Sequence, residues 1–517
     1  MGAMLVKIVL LLAYFGLLIY VAMYSRKKVT DVNSFVLGGR TIGPWMSAFS
    51  FGTSYFSAVV FVGYAGQFGW KYGISATWAG IMNAMVGALL AWFVLGRRTR
   101  IMTQHLDSST MPQFFEARFQ SPRLKIMASA IIFIFLIPYT ASLYNGLSRL
   151  FGMAFNIDYS VCVIVMAVLT AVYVTAGGYM ASAVTDFIQG CIMLVGIAAT
   201  VIAVLKSQGG FMAAISAMGK VTDPTVSDTP GVFASFFGPD PINLLGVIIL
   251  TSLGTWGLPQ MVQKFYAIKS EHDIHKGTVI STIFALVVAG GCYFLGGFGR
   301  LFSDKVDVAT EGFDAIIPAM LSGLSPLLIA LVVILVLSAS MSTLSSLVLT
   351  SSSTLTLDFI KGLFKKDMSE KQSLLTIRVL LVIFIVISVV IAIIQYKSSV
   401  TFIAQLMGVS WGALAGAFLA PFLYGLYWKG VTKAACWVSF LFSTILMLLN
   451  IFLRPSFPTL LQSPINCGAF CMLAGLVIVP IVSLITKAPD KDYLEQVFQA
   501  YDRKVLVSVK DYISDEE

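Results

Sequence analysis

The chain consists of long apolar runs that are separated by short polar segments. Most runs reach the roughly 20 residues that a helix needs to cross a bilayer. The pattern predicts an all-α, polytopic membrane protein with about 13 transmembrane helices. The predicted spans are 4–24, 44–70, 75–96, 124–152, 158–178, 183–205, 241–266, 277–300, 326–357, 374–396, 402–427, 433–453 and 464–486.

The first apolar run resembles a signal peptide by its position. It is long, however, and no small-residue cleavage site follows it, as a cleaved signal peptide requires. We therefore expect it to remain as a membrane helix. The membrane domain is predicted to cover 1–487, followed by a tail over 488–517 that forms a short helix or is disordered.

Composition agrees with a membrane protein, since 58% of the 517 residues are hydrophobic and 11% are charged. The net charge of +9 would suit nucleic acid, but the basic residues lie beside the spans, where membrane orientation explains them. We expect lipid contact and no nucleic-acid partner. The six cysteines lie mostly in apolar runs without CxxC spacing, which is typical of packing residues rather than disulfides or metal ligands.

Lys and Arg predict the orientation of the chain. With the N-terminus outside, 25 of the 34 basic residues fall in inward loops or in the tail, and such an excess marks the cytoplasmic side. The inward set includes Lys28, Lys264 and Lys366. The sequence therefore predicts an outside N-terminus and a cytoplasmic tail.

A hydroxyl-rich stretch, 338–356, closes one of the apolar runs. At helical spacing Ala339, Ser342, Thr343 and Ser346 share a face, and Ser345 neighbours Ser342. Uncharged oxygens in this number suit a monovalent hard cation better than a divalent one. The alternative is that Ser and Thr let membrane helices pack closely. This stretch alone does not decide between the two.

Two spans contain interruptions. Gly52 to Ser57 breaks an apolar run in the second span, and 254–260 breaks the seventh, where Pro259 removes an amide donor. Unwound backbone at membrane depth is tolerated where it lines a cavity or binds something, and the alternative is a continuous helix with a Gly/Ser packing face. Each interruption opens a group of five spans, which indicates an inverted repeat with a substrate site between its halves.

Asp186 lies near the start of the sixth span, after the turn signal Gly177-Gly178. A carboxylate inside a membrane helix is costly and is expected to face a partner, water or a cation. The alternative is a boundary residue that the helix dipole stabilises.

Three segments now carry a resemblance to a family. FVLGGR at 35–40, TAGGYMASAVTDFIQ at 175–189 and SASMSTLSSLVLTSSSTLTLDF at 338–359 resemble the sodium:solute symporter family, which includes the proline and sodium–glucose symporters. The resemblance covers about 5–450 and implies a leucine-transporter-type core of five plus five inverted helices. Here the two repeats would cover about 44–205 and 241–427.

The resemblance also implies ion ligands. One sodium would be held by carbonyls of Thr53, Phe56 and Ala339 and by hydroxyls of Ser342 and Thr343. Some members are similar in carrying a second sodium, for which the matching residues are Asp186, Ser345 and Ser346.

The implied solute pocket departs from the known members. Tyr139 matches a pocket tyrosine of the proline symporters, but their acidic residue and tryptophan fall on Tyr55 and Val59, and their aromatic pair falls on Thr251 and Thr255. The sugar symporters' polar residues are likewise replaced by Val59 and Val60. The candidate solute contacts are Tyr139, Tyr144, Trp256 and Gln260, each with helix packing as the alternative.

The predicted function is uptake of a small organic solute, an amino acid or small carboxylate by preference, driven by inward sodium movement. The alternatives are sugar or nucleobase uptake, or proton coupling with Asp186 as the carrier. No repeated filter-like loop indicates a channel, and the histidines that an enzyme would need lie in predicted loops, at His105, His272 and His275. The oligomeric state is left open.

Overall fold

The computed structural model describes residues 2–27, 29–155, 157–365, 367–398 and 403–502. Lys28, Lys366 and residues 503–517 of the predicted tail lie outside the described residues. Within the described part the chain is helical, and its β-structure is limited to two isolated bridges. The prediction of an all-α membrane protein is confirmed.

The first half of the chain folds into seven principal helices. The third begins as a π-helix, Val59–Tyr64, and continues as Ala65–Tyr72, and the fourth alternates α- and π-helical segments. They are α1 (Gly2–Arg26), α2 (Pro44–Tyr55), α3 (59–72), α4 (77–105), α5 (Met111–Phe119), α6 (Pro122–Phe155) and α7 (Tyr159–Ser207).

The second half contributes nine more. Short helices such as Val32–Leu37, Phe211–Met218 and Ile316–Leu321 lie in the connections. The principal helices are α8 (Pro241–Gly257), α9 (Pro259–Ala267), α10 (271–296), α11 (Pro326–Thr354, continuing to Leu363), α12 (Glu370–Ser398), α13 (Ile403–Tyr427), α14 (Lys433–Phe452), α15 (Pro464–Ile485) and α16 (Lys491–Phe498).

Ten described helices are long and apolar enough to cross a membrane, and α8 with α9 forms an eleventh span bent by 44°. The predicted spans 158–178 and 183–205 both lie in α7, which is interrupted only where Gly178 takes φ 54° and ψ −146°. A Cβ at Gly178 would lie 2.6 Å from the ring of Phe35. Length and composition thus give ten or eleven spans among the described residues. The number of thirteen stays a prediction.

The two predicted interruptions are confirmed, and they resemble one another closely. Helix α2 continues past Gly52 and ends at Tyr55, where Phe56 is extended with φ −80° and ψ 116°. Helix α8 ends before Leu258, which has φ −78° and ψ 123°. The amide of each extended residue donates to a glycine carbonyl four residues earlier, Gly52 or Gly254, at 3.2 Å. The breaks thus occupy equivalent places in the two repeats, as an inverted repeat requires.

Helix α11 lies at the centre of the bundle, packed against α2, α6 and α7. Helix α1 packs outside α7, where the amide of Gln189 donates to the hydroxyl of Tyr14 at 2.7 Å. Helices α13, α14 and α15 pack on one another at the other side. Large apolar side chains such as Phe93 and Leu484 remain on the outer surface, where lipid rather than water would cover them.

We call the end of the bundle that carries Arg40 and the Arg97 to Arg100 segment the basic face. Helix α16 lies on this face, with Leu494 and Val497 buried. The guanidinium of Arg118 lies 5.1 Å from the ring centre of Phe498 and donates to the carbonyl of Gly425 at 2.9 Å. Burial lowers the pKa of Arg118 to about 10, so the side chain stays charged at neutral pH. The start of the predicted tail is therefore part of the folded core.

Candidate functional site

The first cluster of interest forms where the broken helix α2 meets α11. Because the chain leaves helical geometry at Phe56, the carbonyls of the last turn of α2 lack their usual intrahelical partners. Two hydroxyls on α11 approach these carbonyls, and all the side chains are buried. We call this group the neutral cluster; it consists of Thr53, Phe56, Ala339, Ser342 and Thr343.

Distances within the neutral cluster are short. The hydroxyl of Thr343, which has one proton to donate, lies within hydrogen-bond distance of three carbonyls, those of Thr53 at 2.9 Å, Ala339 at 3.0 Å and Phe56 at 3.4 Å. The hydroxyl of Ser342 lies 3.1 Å from the Thr53 carbonyl and 3.0 Å from that of Ala339. The structure therefore brings together all five residues that the sequence singles out, and their oxygens carry no formal charge.

A second cluster lies one turn further along α11. Asp186 of α7 accepts a hydrogen bond of 2.5 Å from Ser50, and its carboxylate lies 3.9 Å from the ammonium of Lys264. That ammonium donates to the hydroxyl of Ser346 at 3.1 Å, and Ser346 in turn lies 2.9 Å from Ser54. We call this group the charged cluster; it consists of Ser50, Ser54, Asp186, Lys264 and Ser346.

Lys264 corrects a sequence expectation. We assigned it to an inward loop, but it lies in α9 and is 2% exposed. The break before Pro259 redirects the chain, so every residue of α9 is buried. The signal was present, because Lys264 falls inside the predicted span 241–266 and a membrane lysine requires an acidic partner.

Ser345 has other partners. Its hydroxyl lies 2.8 Å from that of Ser182 on α7 and donates to the carbonyl of Ser342 at 2.8 Å. Of the residues matched to a second sodium, Asp186 and Ser346 thus meet at Lys264, while Ser345 is bonded to its own helix and to Ser182.

The candidate solute residues lie near the two breaks but differ in their bonding. The ring of Tyr139 packs edge-on to Trp411 with ring centres 6.0 Å apart. Both amide atoms of Gln260 and the hydroxyls of Tyr139 and Tyr144 are buried without a hydrogen-bond partner among the described residues. The indole of Trp256 already donates to the carbonyl of Val86 at 2.9 Å, which favours helix packing for this residue. Buried polar atoms without partners are costly, so Gln260, Tyr139 and Tyr144 are better placed than Trp256 to receive a ligand.

A cavity of about 810 Å³ opens at the end of the bundle away from the basic face. Arg300 lines it and donates to Asp223 at 2.9 Å, with its guanidinium 3.8 Å from the ring centre of Phe233. Bonds from Thr225 and Arg300 lower the pKa of Asp223. This pair joins two distant loops, and sequence reasoning did not find it.

The basic face is closed by backbone contacts. The guanidinium of Arg40 donates to the carbonyls of Tyr266 at 3.1 Å and Ser108 at 2.6 Å. Ile42 pairs with the end of α9, since its amide donates to the Ala267 carbonyl at 3.2 Å. The residues just before α2 thus tie this end of the bundle to the end of α9.

Two broken helices in equivalent repeats, facing an unbroken hydroxyl-rich helix, define a secondary transporter with a leucine-transporter-type core. The model of the sodium:solute symporter family matches residues 35–442. The chain belongs to this family, as its sequence motifs predict, and it is an integral, multi-pass membrane protein of the transporter class.

Relatives and a solved structure agree with this assignment. The osmoregulated proline transporter of Bacillus subtilis is 28% identical over 482 residues, which cover 92% of this chain and 94% of that protein. The sodium/proline symporter of Staphylococcus aureus is 30% identical over 444 residues, covering 82% of each. The structure of a sodium-coupled sialic acid symporter matches with a TM-score of 0.70 at 15% identity, covering 94% of this chain and 99% of the other. That last likeness concerns the fold alone.

Proposed function

We propose that this protein couples the inward movement of sodium to the uptake of a small organic solute, an amino acid or small carboxylate by preference, and that sodium binds at the neutral cluster. The observation that carries the proposal is the convergence of three carbonyls and two hydroxyls where the break in α2 faces α11. Family membership supplies the sodium-coupled class, and the cluster supplies a site for the ion.

The neutral cluster fits a small monovalent cation. Hard cations of this size take protein oxygens at about 2.3–2.6 Å, and oxygens 2.9 to 3.4 Å apart can share one such ion. Divalent ions usually require carboxylates, and the five residues offer none. In the protein without a bound ion these hydroxyls donate to carbonyls. When an ion binds, they can rotate and present their lone pairs to it.

Sodium at this position would hold α2 to α11 and so favour one arrangement of the two helical bundles. Sodium and solute then raise each other's affinity, typically by about 1–3 kcal/mol. The membrane potential adds about 2.3 kcal/mol per charge per 100 mV, which drives uphill uptake. In this proposal the basic face is cytoplasmic, the cavity beside Arg300 faces outward, and one bundle rocks against the other to alternate access.

The identity of the solute rests on weaker support. Both relatives are named for proline, and Tyr139 matches the pocket tyrosine that the resemblance to the proline symporters implies. Tyr55 and Val59 differ from the proline symporters at the break, however, so an amino acid other than proline fits the proposal equally. Gln260, Tyr139 and Tyr144 are the proposed polar contacts because their buried polar atoms have no partner among the described residues.

The test uses the purified protein in proteoliposomes. Uptake of radiolabelled amino acids, small carboxylates, sugars and nucleobases is measured under an inward sodium gradient, and again with choline replacing sodium at fixed pH. We expect uptake of at least one amino acid or carboxylate that disappears in choline. Uptake that persists in choline and follows a pH gradient would instead support proton coupling, the second candidate, and would overturn the proposal.

A further inference from the structure

The charged cluster contains a cation of its own. The ammonium of Lys264 donates to Ser346 at 3.1 Å and lies 3.9 Å from the carboxylate of Asp186. Asp186 and Ser346 are two of the three residues that match a second sodium site in other members of the family. In this chain the ammonium therefore contacts oxygens of two of the residues that would hold the second ion.

Lys264 is held in this place from several sides. It is 2% exposed, and Asp186 is fully buried. Its ammonium lies 4.9 Å from the ring centre of Tyr179, a distance at which a cation is attracted to the face of an aromatic ring. Pro259 begins α9 directly after the break, and this fully buried helix, which packs against α11, carries Lys264.

An ammonium and a sodium ion are poor neighbours in such a place. Buried charges must be paired, and Lys264 already neutralises the single carboxylate of the cluster. A sodium ion beside it would add a second positive charge within a few ångströms, where burial strengthens repulsion. Ser345 does not offset this repulsion, since its hydroxyl, which contacts Ser182 and the Ser342 carbonyl, carries no negative charge.

We propose that Lys264 is the resident cation of the charged cluster and takes the place of a second sodium ion, so that the protein binds one sodium ion, at the neutral cluster. This inference rests on the proposed function, because it presupposes sodium at the neutral cluster. It assigns Lys264 as the residue that sets the number of ions carried with each solute.

The experiment counts bound sodium. Equilibrium binding of ²²Na⁺ to the purified, full-length protein is measured for the wild type, for Lys264→Met, and for the double variant Asp186→Asn with Lys264→Met. We expect one sodium per chain in the wild type, two in Lys264→Met because the freed carboxylate accepts an ion, and one again in the double variant. Lys264→Arg, which keeps the charge, is the matched control and should bind one.

Each other outcome has a defined meaning. Two ions in the wild type and one in the double variant would overturn the inference, as would a single ion in folded Lys264→Met. If Lys264→Met does not fold, the wild type and the double variant decide the matter, since equal counts of one support the inference. A count of zero in the wild type would instead remove the proposed sodium site itself, and is thus distinguishable from failure of the inference alone.

Discussion

The neutral and charged clusters lie one turn apart on α11, and both join this helix to α2. In the neutral cluster, Ser342 and Thr343 meet free carbonyls of α2; in the charged cluster, Ser346 meets Ser54. The first offers oxygens with no counter-charge, whereas the second has a carboxylate and its own ammonium. The comparison indicates that a cluster of neutral oxygens without a cation of its own can bind a transported ion. A cluster that already contains an ion pair instead holds the helices together.

The largest expected effect comes from breaking the charged cluster. Asp186→Asn leaves the Lys264 ammonium buried without a counter-ion, and removing one partner of a buried pair typically costs about 3–5 kcal/mol. We expect thermal unfolding in detergent to show a loss of this size. The double variant Asp186→Asn with Lys264→Met should recover most of it, because no charge is left over.

Asp358→Asn is the matched control for that prediction. Asp358 is also buried, but it accepts hydrogen bonds from Thr110 at 2.7 Å and from Gln113 at 2.8 Å rather than facing a buried lysine. We expect a smaller loss of stability there. A double variant as unstable as Asp186→Asn alone would show that the carboxylate matters through its hydrogen bonds and not through its charge.

A smaller effect is expected from the neutral cluster. Ser342→Ala combined with Thr343→Ala removes two ligands, each worth about 0.5–1.5 kcal/mol as a hydrogen-bonding group. The sodium concentration for half-maximal uptake should therefore rise by about 5- to 150-fold. The matched control is Ser352→Ala with Thr356→Ala, whose hydroxyls bond only to carbonyls of their own helix. Unchanged sodium dependence in the first variant would contradict the assignment of this cluster.

The smallest effect is expected for the ion pair between Asp223 and Arg300, because the carboxylate of Asp223 is partly exposed to water. Hydrogen bonds lower the folded-state pKa of Asp223, the larger effect coming from Thr225 and the smaller from Arg300. Ionised Asp223 therefore stabilises the folded protein above pH 3.8, the ordinary pKa. This contribution is lost as the pH falls through the lowered pKa. Asp223→Asn should cost about 1 kcal/mol at pH 7, the upper end of the range for exposed pairs, because Asp223 is 25% exposed while Arg300 is 6% exposed. The difference in melting temperature between the variant and the wild type should narrow in acid. The control is Asp228→Asn, which removes an exposed carboxylate of the same loop. A loss of stability in Asp223→Asn as large as that in Asp186→Asn would contradict the contrast between the buried and the partly exposed ion pair.

Helical spacing explains why much of the neutral cluster could be predicted from the sequence. Ala339, Ser342 and Thr343 fall on one face by their spacing alone, and the glycine-rich interruption at Gly52 marks the facing helix. The carbonyl of Phe56 came from the family resemblance, because backbone ligands leave no trace in side-chain chemistry. The position of the break also shifted, since α2 stays helical to Tyr55.

The charged cluster was predicted only in part, for a physical reason. Asp186 was recognisable as a carboxylate at membrane depth, but its partner Lys264 is 78 residues away and reaches it through a bend at Pro259. A charge at the end of an apolar run is equally typical of a loop residue. Arg300 and Asp223 were missed for the same reason, because only the folded chain joins two loops that are distant in the sequence.

The packing of α16 on the basic face determines when the contacts of this face can form during synthesis of the chain. The imidazole of His105 contacts the carbonyl of Gln496, which is 391 residues later in the chain. The carbonyl of Arg98 accepts a hydrogen bond from the hydroxyl of Tyr501, which is 403 residues later. At a synthesis rate of about 5–20 residues per second, this end of α4 exists for roughly 20–80 s before its partners are made. Arg118 spends that time without Phe498 beside it. Among the described residues, the contacts of the basic face are therefore completed last.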